Sequence, residues 1–241
     1  MKKNITGVGE VTVPSTLKEK AQNFWYHYKW HSIAATILII ALLVCSLQFC
    51  TKESYDAYIL YAGSHNVGRT AKDGDVAEIV TMISSLKRVS EDYDENGELS
   101  VNFTNYYFLS TEEQRELSDV NSALLNSDKS ALSSAFENSE YFLAFVSVAV
   151  YEQYHKVGAD ERFISLTSYK EINPEIEYYS DNAIYLSSTD AYKLPGLSNL
   201  PEDTLICIRV PNLLEAKSDS HSLHYENAKK MLVNILKLDI E

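Results

Sequence analysis

Hydrophobic and polar positions divide this chain into two unlike parts. From Trp30 to Thr51 the run WHSIAATILIIALLVCSLQFCT holds no Asp, Glu, Lys or Arg, and Ile33 to Val44 shows no polar face. A run of that length crosses a hydrocarbon core of ~30 Å as a helix. Just ahead of it, LKEKAQNFWYHYKWH places Leu17, Ala21, Phe24, Trp25 and Tyr28 at helical spacing. The pattern predicts a short amphipathic helix at the interface within residues 1–31, leading into a membrane helix over 32–50.

Beyond Ser54, short strand-like and helix-like runs alternate. AYILYA, Ala57–Ala62, reads as a strand closed by Gly63. A helix is predicted from Asp75 with Val76, Ile79, Val80, Ile83 and Leu86 on one face, and Asp75 with Glu78 forms a capping pair. VNFTNYYFL from Val101 is the next strand. Ser110 with Glu113 then caps a helix containing Leu117, Val120 and Leu124, and Lys129–Glu137 forms another. YFLAFVSV from Tyr141 is apolar on both faces, which suits a central strand covered on each side. Further on come a short helix at 150–156, an extended piece Phe163–Leu166, and strands Ala183–Leu186 and Leu205–Val210. A last helix is capped by Ser222, with Tyr225, Ala228, Leu232 and Ile235 facing inward. The alternation predicts a layered α/β domain over 54–241 with a largely parallel sheet. No constant-period repeat interrupts it.

Charge sharpens the division. The 241 residues carry a net −13. Residues 1–31 contribute +3, from Lys2, Lys3, Lys18, Lys20 and Lys29 against Glu10 and Glu19, so the remainder stands at −16. Positive charge beside a membrane helix stays in the cytoplasm, and Trp25, Tyr26, Tyr28 and Trp30 suit the headgroup layer at that end. The expected topology is therefore single-pass, with a cytoplasmic N-terminus and the α/β domain outside the cell membrane. A cleaved signal peptide fits poorly, because its positive region would be unusually long and no small-x-small site follows the apolar run. Lipidation fits poorly too, with Val44 before Cys45 and Phe49 before Cys50. So acidic a domain repels phosphate backbones, which excludes nucleic acid as a partner. Cys45 and Cys50 are read as membrane thiols and Cys207, in TLICIRV, as a lone buried thiol; three cysteines make no disulfide framework.

The string KEKAQNFWYHYKWH followed by an apolar helix resembles single-pass membrane proteins of Gram-positive gut bacteria. Their outer region is similar to part of a type 2 periplasmic solute-binding protein. The matching order here is AYILYAG, a helix, an acidic Gly-containing loop, a strand, YFLAFVSVAVYEQY, and later AIYLSSTDAYKLPGL and TLICIRVP. The resemblance implies one lobe of a ligand-binding fold. The departure is that residues 150–183 are too few for a second lobe of ~100 residues.

Among chemical motifs, DYDENGELSVNF is the strongest. Asp92, Asp94 and Asn96 alternate, Gly97 permits a sharp turn, Glu98 offers its carbonyl, and Leu99 anchors the loop, as in the first half of an EF-hand. The twelfth position, which needs a bidentate Glu, is Phe103, so Ca²⁺ there needs another carboxylate or binds weakly. The competing reading is a solvated acidic turn. GSHNVGRT, residues 63–70, approaches a phosphate loop, but Arg69 replaces the lysine and KDGD breaks the cradling helix. His221 and His224, beside Asp219 and Glu226, lack the HExxH arrangement of a zinc site and read as polar residues at a helix start. The sequons at Asn4 and Asn102 matter only in a glycosylating pathway, and the 17 tyrosines serve packing or amphipathic surfaces. No catalytic or cofactor-binding residue emerges.

The expectation is a non-enzymatic, membrane-tethered module, holding lipid through its N-terminal helix and binding an envelope protein or a small ligand. An extracytoplasmic hydrolase whose residues converge only in three dimensions, or a Ca²⁺-stabilised spacer, are the alternatives.

Overall fold

A computed structural model of the protein describes residues 16–50, 54–68, 75–118 and 120–240. The chain divides after Ser54 into two compact units. Among the described residues the first contains one helix, α1 (Leu17–Cys50), in which the amphipathic segment and the apolar run are continuous. Its stretch Phe24–Ser46 is long and apolar enough to cross a membrane, and none of it is buried in protein.

The second unit is a three-layer α/β/α sandwich. Strands β1 (Ala57–Gly63), β2 (Val101–Tyr107), β3 (Leu143–Ser147), β6 (Tyr178–Ser180), β7 (Ala183–Tyr185) and β8 (Thr204–Ile208) form one sheet in the order β2-β1-β3-β8-β7-β6, and β4 (Lys156–Val157) with β5 (Asp160–Glu161) make a separate hairpin. The helices are α2 (Asp75–Lys87), α3 (Thr111–Glu116), α4 (Ser122–Glu137), α5 (Val148–Tyr154) and α6 (Asp219–Lys237). Alternation along each strand feeds two cores. Ile59, Tyr61, Leu143, Phe145, Ile206 and Ile208 meet α2 and α6 through Met82, Leu86, Met231 and Leu232. Leu60, Ala62, Ala144, Val146, Leu205 and Cys207 meet α4 and α5 through Leu132, Phe136, Val150 and Tyr151. Strands buried on both faces are why AYILYA and LAFVS read as unbroken apolar runs.

The sheet is parallel only in its first half. β1 pairs with β2 and β3 in parallel, whereas β3–β8, β8–β7 and β7–β6 are antiparallel. Parallel strands need a crossover helix, and α2 and the α3–α4 pair supply one for β2 and β3. After β7 the chain makes only 3-10 turns, so β8 returns antiparallel. Residues 155–182 form the β4–β5 hairpin, a 3-10 turn and edge strand β6, all within this same unit.

Several expected elements shift. The helix opened by Ser110 has its capping box but stops at Glu116; Leu117 turns extended and half-exposed, and Leu124 belongs to α4, capped by Asn121 rather than starting at Lys129. On α2 the inward stripe is Ile79, Met82, Ile83 and Leu86, while Val76 and Val80 face solvent. Glu78 Oε1 meets His65 Nε2, and the expected capping pair of Asp75 with Glu78 falls on a side chain outside the described residues. The last helix begins at Asp219, ahead of Ser222, and the strand predicted from Tyr141 ends where Ser147 caps α5. Cys207 is buried, and burial pushes its thiol well up. Asn4, Arg69, Lys72–Gly74, and the side chains of Asp75 and Cys50 lie outside the described residues.

Candidate functional site

Strand order reverses at β1: the chain passes from β1 to β2 on one side, then crosses to β3 on the other. In open α/β sheets, ligands bind outside the carboxyl ends of the strands at such a reversal. At this rim Tyr107 pairs with Gly63, and Ser147 pairs with Thr204. The alternation that sends Tyr61, Phe145 and Ile206 to one core places Gly63, Ser147 and Thr204 on that same face.

The residues at the rim are mostly committed to one another, with two exceptions. Gly63 has no side chain because the Tyr61 hydroxyl lies where one would be: an added Cβ would stand 2.5 Å from that oxygen. That hydroxyl accepts from the His65 amide at 3.2 Å, and burial drives its pKa far up. His65 Nε2 meets Glu78 Oε1 at 2.7 Å. Desolvation raises the Glu78 pKa, but the hydrogen bond and charge of His65, with Asn199 and the Gly68 amide, outweigh it and lower the net value. Ser147 Oγ accepts from the Val150 amide as the cap of α5. The Asp203 carboxyl accepts from the Val148 amide, yet desolvation, then the charge of Glu113, raises its pKa. The exceptions are Thr204, whose buried hydroxyl has no hydrogen-bond partner, and Asn66, whose Oδ1 is likewise unpartnered. Leaving such an oxygen unsatisfied costs ~1–3 kcal/mol. Gly63, His65 and Asn66 lie in the phosphate-loop-like string GSHNVGRT, but no spacing in the sequence links them to Glu78, Ser147, Asp203 or Thr204.

At the opposite end, the acidic loop folds as a closed turn. Asp92 accepts from the amides of Asn96 (3.2 Å) and Gly97 (2.8 Å). Asp94 accepts from the Asn96 amide (3.1 Å) and side chain (2.9 Å), and Asn96 accepts from the Glu98 amide (2.7 Å). Gly97 sits at φ +88°, the left-handed region its lack of a side chain permits. The structure adds a residue that the motif does not reveal: Asp56, 36 positions earlier and buried, comes beside Asp92 and Asp94. One oxygen of each of the three lies within 4.8 Å of the others. Those three residues could each offer an oxygen to a divalent cation. The loop's oxygens also accept amide hydrogens, which hold the turn closed from within the chain. We therefore expect the same thermal unfolding midpoint in excess Ca²⁺ as in chelator; a calcium-dependent rise would make the loop an ion site.

His221 and His224 are occupied locally. His221 Nδ1 pairs with Ser218 Oγ (3.0 Å) and its ring meets Phe142, while His224 Nε2 pairs with Ser220 Oγ (3.2 Å) and packs on Tyr58. Val67, in the phosphate-loop-like segment, is buried in the core, and its carbonyl accepts from the Asn105 side chain. Asn102 of the sequon lies in β2, its Oδ1 accepting from the Tyr141 hydroxyl at 2.8 Å.

Comparison with known proteins adds no assignment: no family model matches the chain, and neither does any curated protein or solved structure.

Proposed function

We propose that this chain is a membrane-anchored, non-catalytic binding module. On this reading α1 is the anchor, the basic N-terminus is cytoplasmic, and the α/β domain lies outside, taking a small polar ligand at the carboxyl rim of β1 and β3. The observation that carries the reading is the buried hydroxyl of Thr204, unpartnered at the strand-order reversal where sheets of this kind hold ligands. Glu78, Glu113 and Asp203 make the surroundings acidic, which favours a ligand that donates hydrogen bonds, an amine or a polyol, over an anion. Binding on a single lobe, without closure of a second, accords with the short span between α5 and β7.

The test is a thermal-shift screen of small amines and polyols on the detergent-solubilised chain. A ligand that stabilises the natural protein should lose its shift in Thr204→Val, which keeps the shape and removes the hydroxyl. A screen without hits, or a shift unaltered in that variant, overturns the reading.

The pairing of His65 with Glu78 favours a hydrolase as the second reading, because a histidine oriented by a carboxylate is the base half of a nucleophilic site. Turnover of a chromogenic ester or glycoside that disappears in His65→Ala would establish it in place of the first.

A further inference from the structure

The end of the sheet opposite the rim carries the most exposed of the large apolar side chains among the described residues of the second unit. Ile208, the last residue of β8, pairs with Leu143, the first of β3, so the segment after β8 emerges where β1 and β3 begin. There Leu213 is 84% exposed and Leu214 80%, with Val157 and Val210 half-exposed beside them. Together with Phe136 and Pro211 they line a groove of about 600 Å³.

This loop is held in place. Asn212 Oδ1 accepts from the Leu214 and Glu215 amides at 2.8 and 2.9 Å, and Asn212 Nδ2 donates to the Glu137 carbonyl at 2.7 Å. The Asn212 amide donates to Glu215 Oε2 at 2.8 Å, which ties the loop to the buried Arg209–Glu215 pair. Two adjacent leucines held outward beside Val157 and Val210 make a contiguous apolar patch of the kind that marks a protein or membrane contact.

The chain itself selects that partner. Helix α1 ends at Cys50 and the second unit begins at Tyr55, so residues 51–54 are the whole tether. Four residues reach at most ~14 Å even when fully extended. The chain enters the domain at the start of β1, the end that carries the leucines. A bilayer that holds α1 is thus an apolar phase at high effective concentration for this loop.

From these observations we infer that Leu213 and Leu214, with Val210 and Val157, dock the domain onto the lipid surface. The inference rests on the anchoring reading of α1 but not on the ligand proposed for the rim. Glu137, Asp160 and Glu161 outnumber Arg162 at the groove, where Arg209 is already paired with Glu215, so the surface it fits is a zwitterionic one, and anionic headgroups weaken the contact.

The full chain, with Cys45, Cys50 and Cys207 changed to alanine, is reconstituted in phosphatidylcholine vesicles and floated on a sucrose gradient. A polarity-sensitive fluorophore is attached at Leu213→Cys or, as a control at the other end of the sheet, at Glu202→Cys. The expected result is co-flotation, blue-shifted emission at position 213 that headgroup-level nitroxide lipids quench, and neither effect at position 202. Adding Leu214→Asp, a change at an exposed position, should abolish the quenching without altering flotation. Co-flotation with an unquenched, water-like probe at 213 overturns the inference while leaving the anchor intact. A blue shift that nitroxide lipids leave unquenched and that vanishes at high lipid-to-protein ratio assigns the leucines to a second copy, and also overturns it. Failure to float overturns the anchoring reading itself and the inference with it.

Discussion

Changing Arg209 to alanine is expected to cost the α/β domain ~3–5 kcal/mol of folding stability, because it strands a buried carboxylate. Arg209 and Glu215 each have 1% of their side-chain surface exposed and pair through two bonds, Nη1 to Oε2 at 2.7 Å and Nη2 to Oε1 at 2.9 Å. The guanidinium also donates to the Ser139 carbonyl at 2.7 Å and stacks over Phe142, 4.4 Å from the ring centre. The carboxylate accepts in turn from the amides of Ser139 (3.1 Å) and Asn212 (2.8 Å). The pair thus joins the connection into β3, the end of β8 and the leucine loop. Measured against the ~5–15 kcal/mol of a typical domain, the loss brings the variant near its folding threshold. Equilibrium denaturation in micelles, followed by near-ultraviolet tyrosine dichroism, reads it directly. The double variant Arg209→Met with Glu215→Leu should regain most of the loss, since well-packed apolar pairs replace buried ion pairs at little cost. It should not regain all, because the Ser139 and Asn212 amides lose their acceptor. A single variant that loses less than ~1 kcal/mol would show that water reaches the pair and screens it.

The same pair sets the acid limit of the domain. Burial alone would raise the Glu215 pKa, but the hydrogen bonds from Arg209, Asn212 and Ser139 with the charge of Arg209 outweigh it, so the folded carboxyl lies below the usual carboxylate range. A carboxyl depressed in the folded state contributes stability that is complete above its unfolded pKa and fades as pH falls through the folded one. The pair's contribution should therefore be complete above the ~4.3 of an unfolded glutamate and fade as pH falls further, and the acid loss should be smaller in the Arg209→Met, Glu215→Leu double variant.

Where local pattern sufficed, the sequence was legible, and the misses have physical causes. YFLAFVSV is apolar on both faces, so its composition revealed both a strand and its central place, whereas AYILYA revealed a strand but not its position. The helical phase on α2 was misjudged because valines at 76 and 80 satisfy the same periodicity as the true stripe through Met82 and Leu86, and only packing discriminates between them. Pairing direction depends on how the chain returns, and the 3-10 turns between β7 and β8 leave no strong periodicity. Arg209, in the apolar string TLICIRVP, could be noticed as a charge inside a strand, but its partner six residues on sits in a 3-10 turn without pattern. Thr204 reaches the rim only through strand register, and His65 meets Glu78 only because α2 lies beside the end of β1. Asp56 belongs to the acidic loop only because β1 and β2 run side by side.

Asp56 supports the second large prediction. Its Oδ1 accepts from the Tyr93 amide at 2.8 Å, and its Oδ2 accepts from the Ser100 amide at 2.8 Å and hydroxyl at 3.1 Å. One buried side chain thereby closes both ends of the 93–100 loop onto the start of β1. Alanine at this position leaves those donors without an acceptor, and at ~1–3 kcal/mol for each buried donor the two amides alone cost about 2–6 kcal/mol. Asparagine keeps one acceptor oxygen but turns an NH₂ towards a donor, so its loss should fall between alanine and the natural residue. Asp92→Ala and Asp94→Ala act on the more exposed part of the loop and should each cost about 1 kcal/mol, the net worth of a solvent-accessible hydrogen bond. Urea titration of the four variants gives that order if Asp56 is the structural keystone and the loop carboxylates only shape the turn. Equal and large losses at positions 56, 92 and 94, present with calcium and absent in chelator, would instead mean that the three carboxylates act together on one cation.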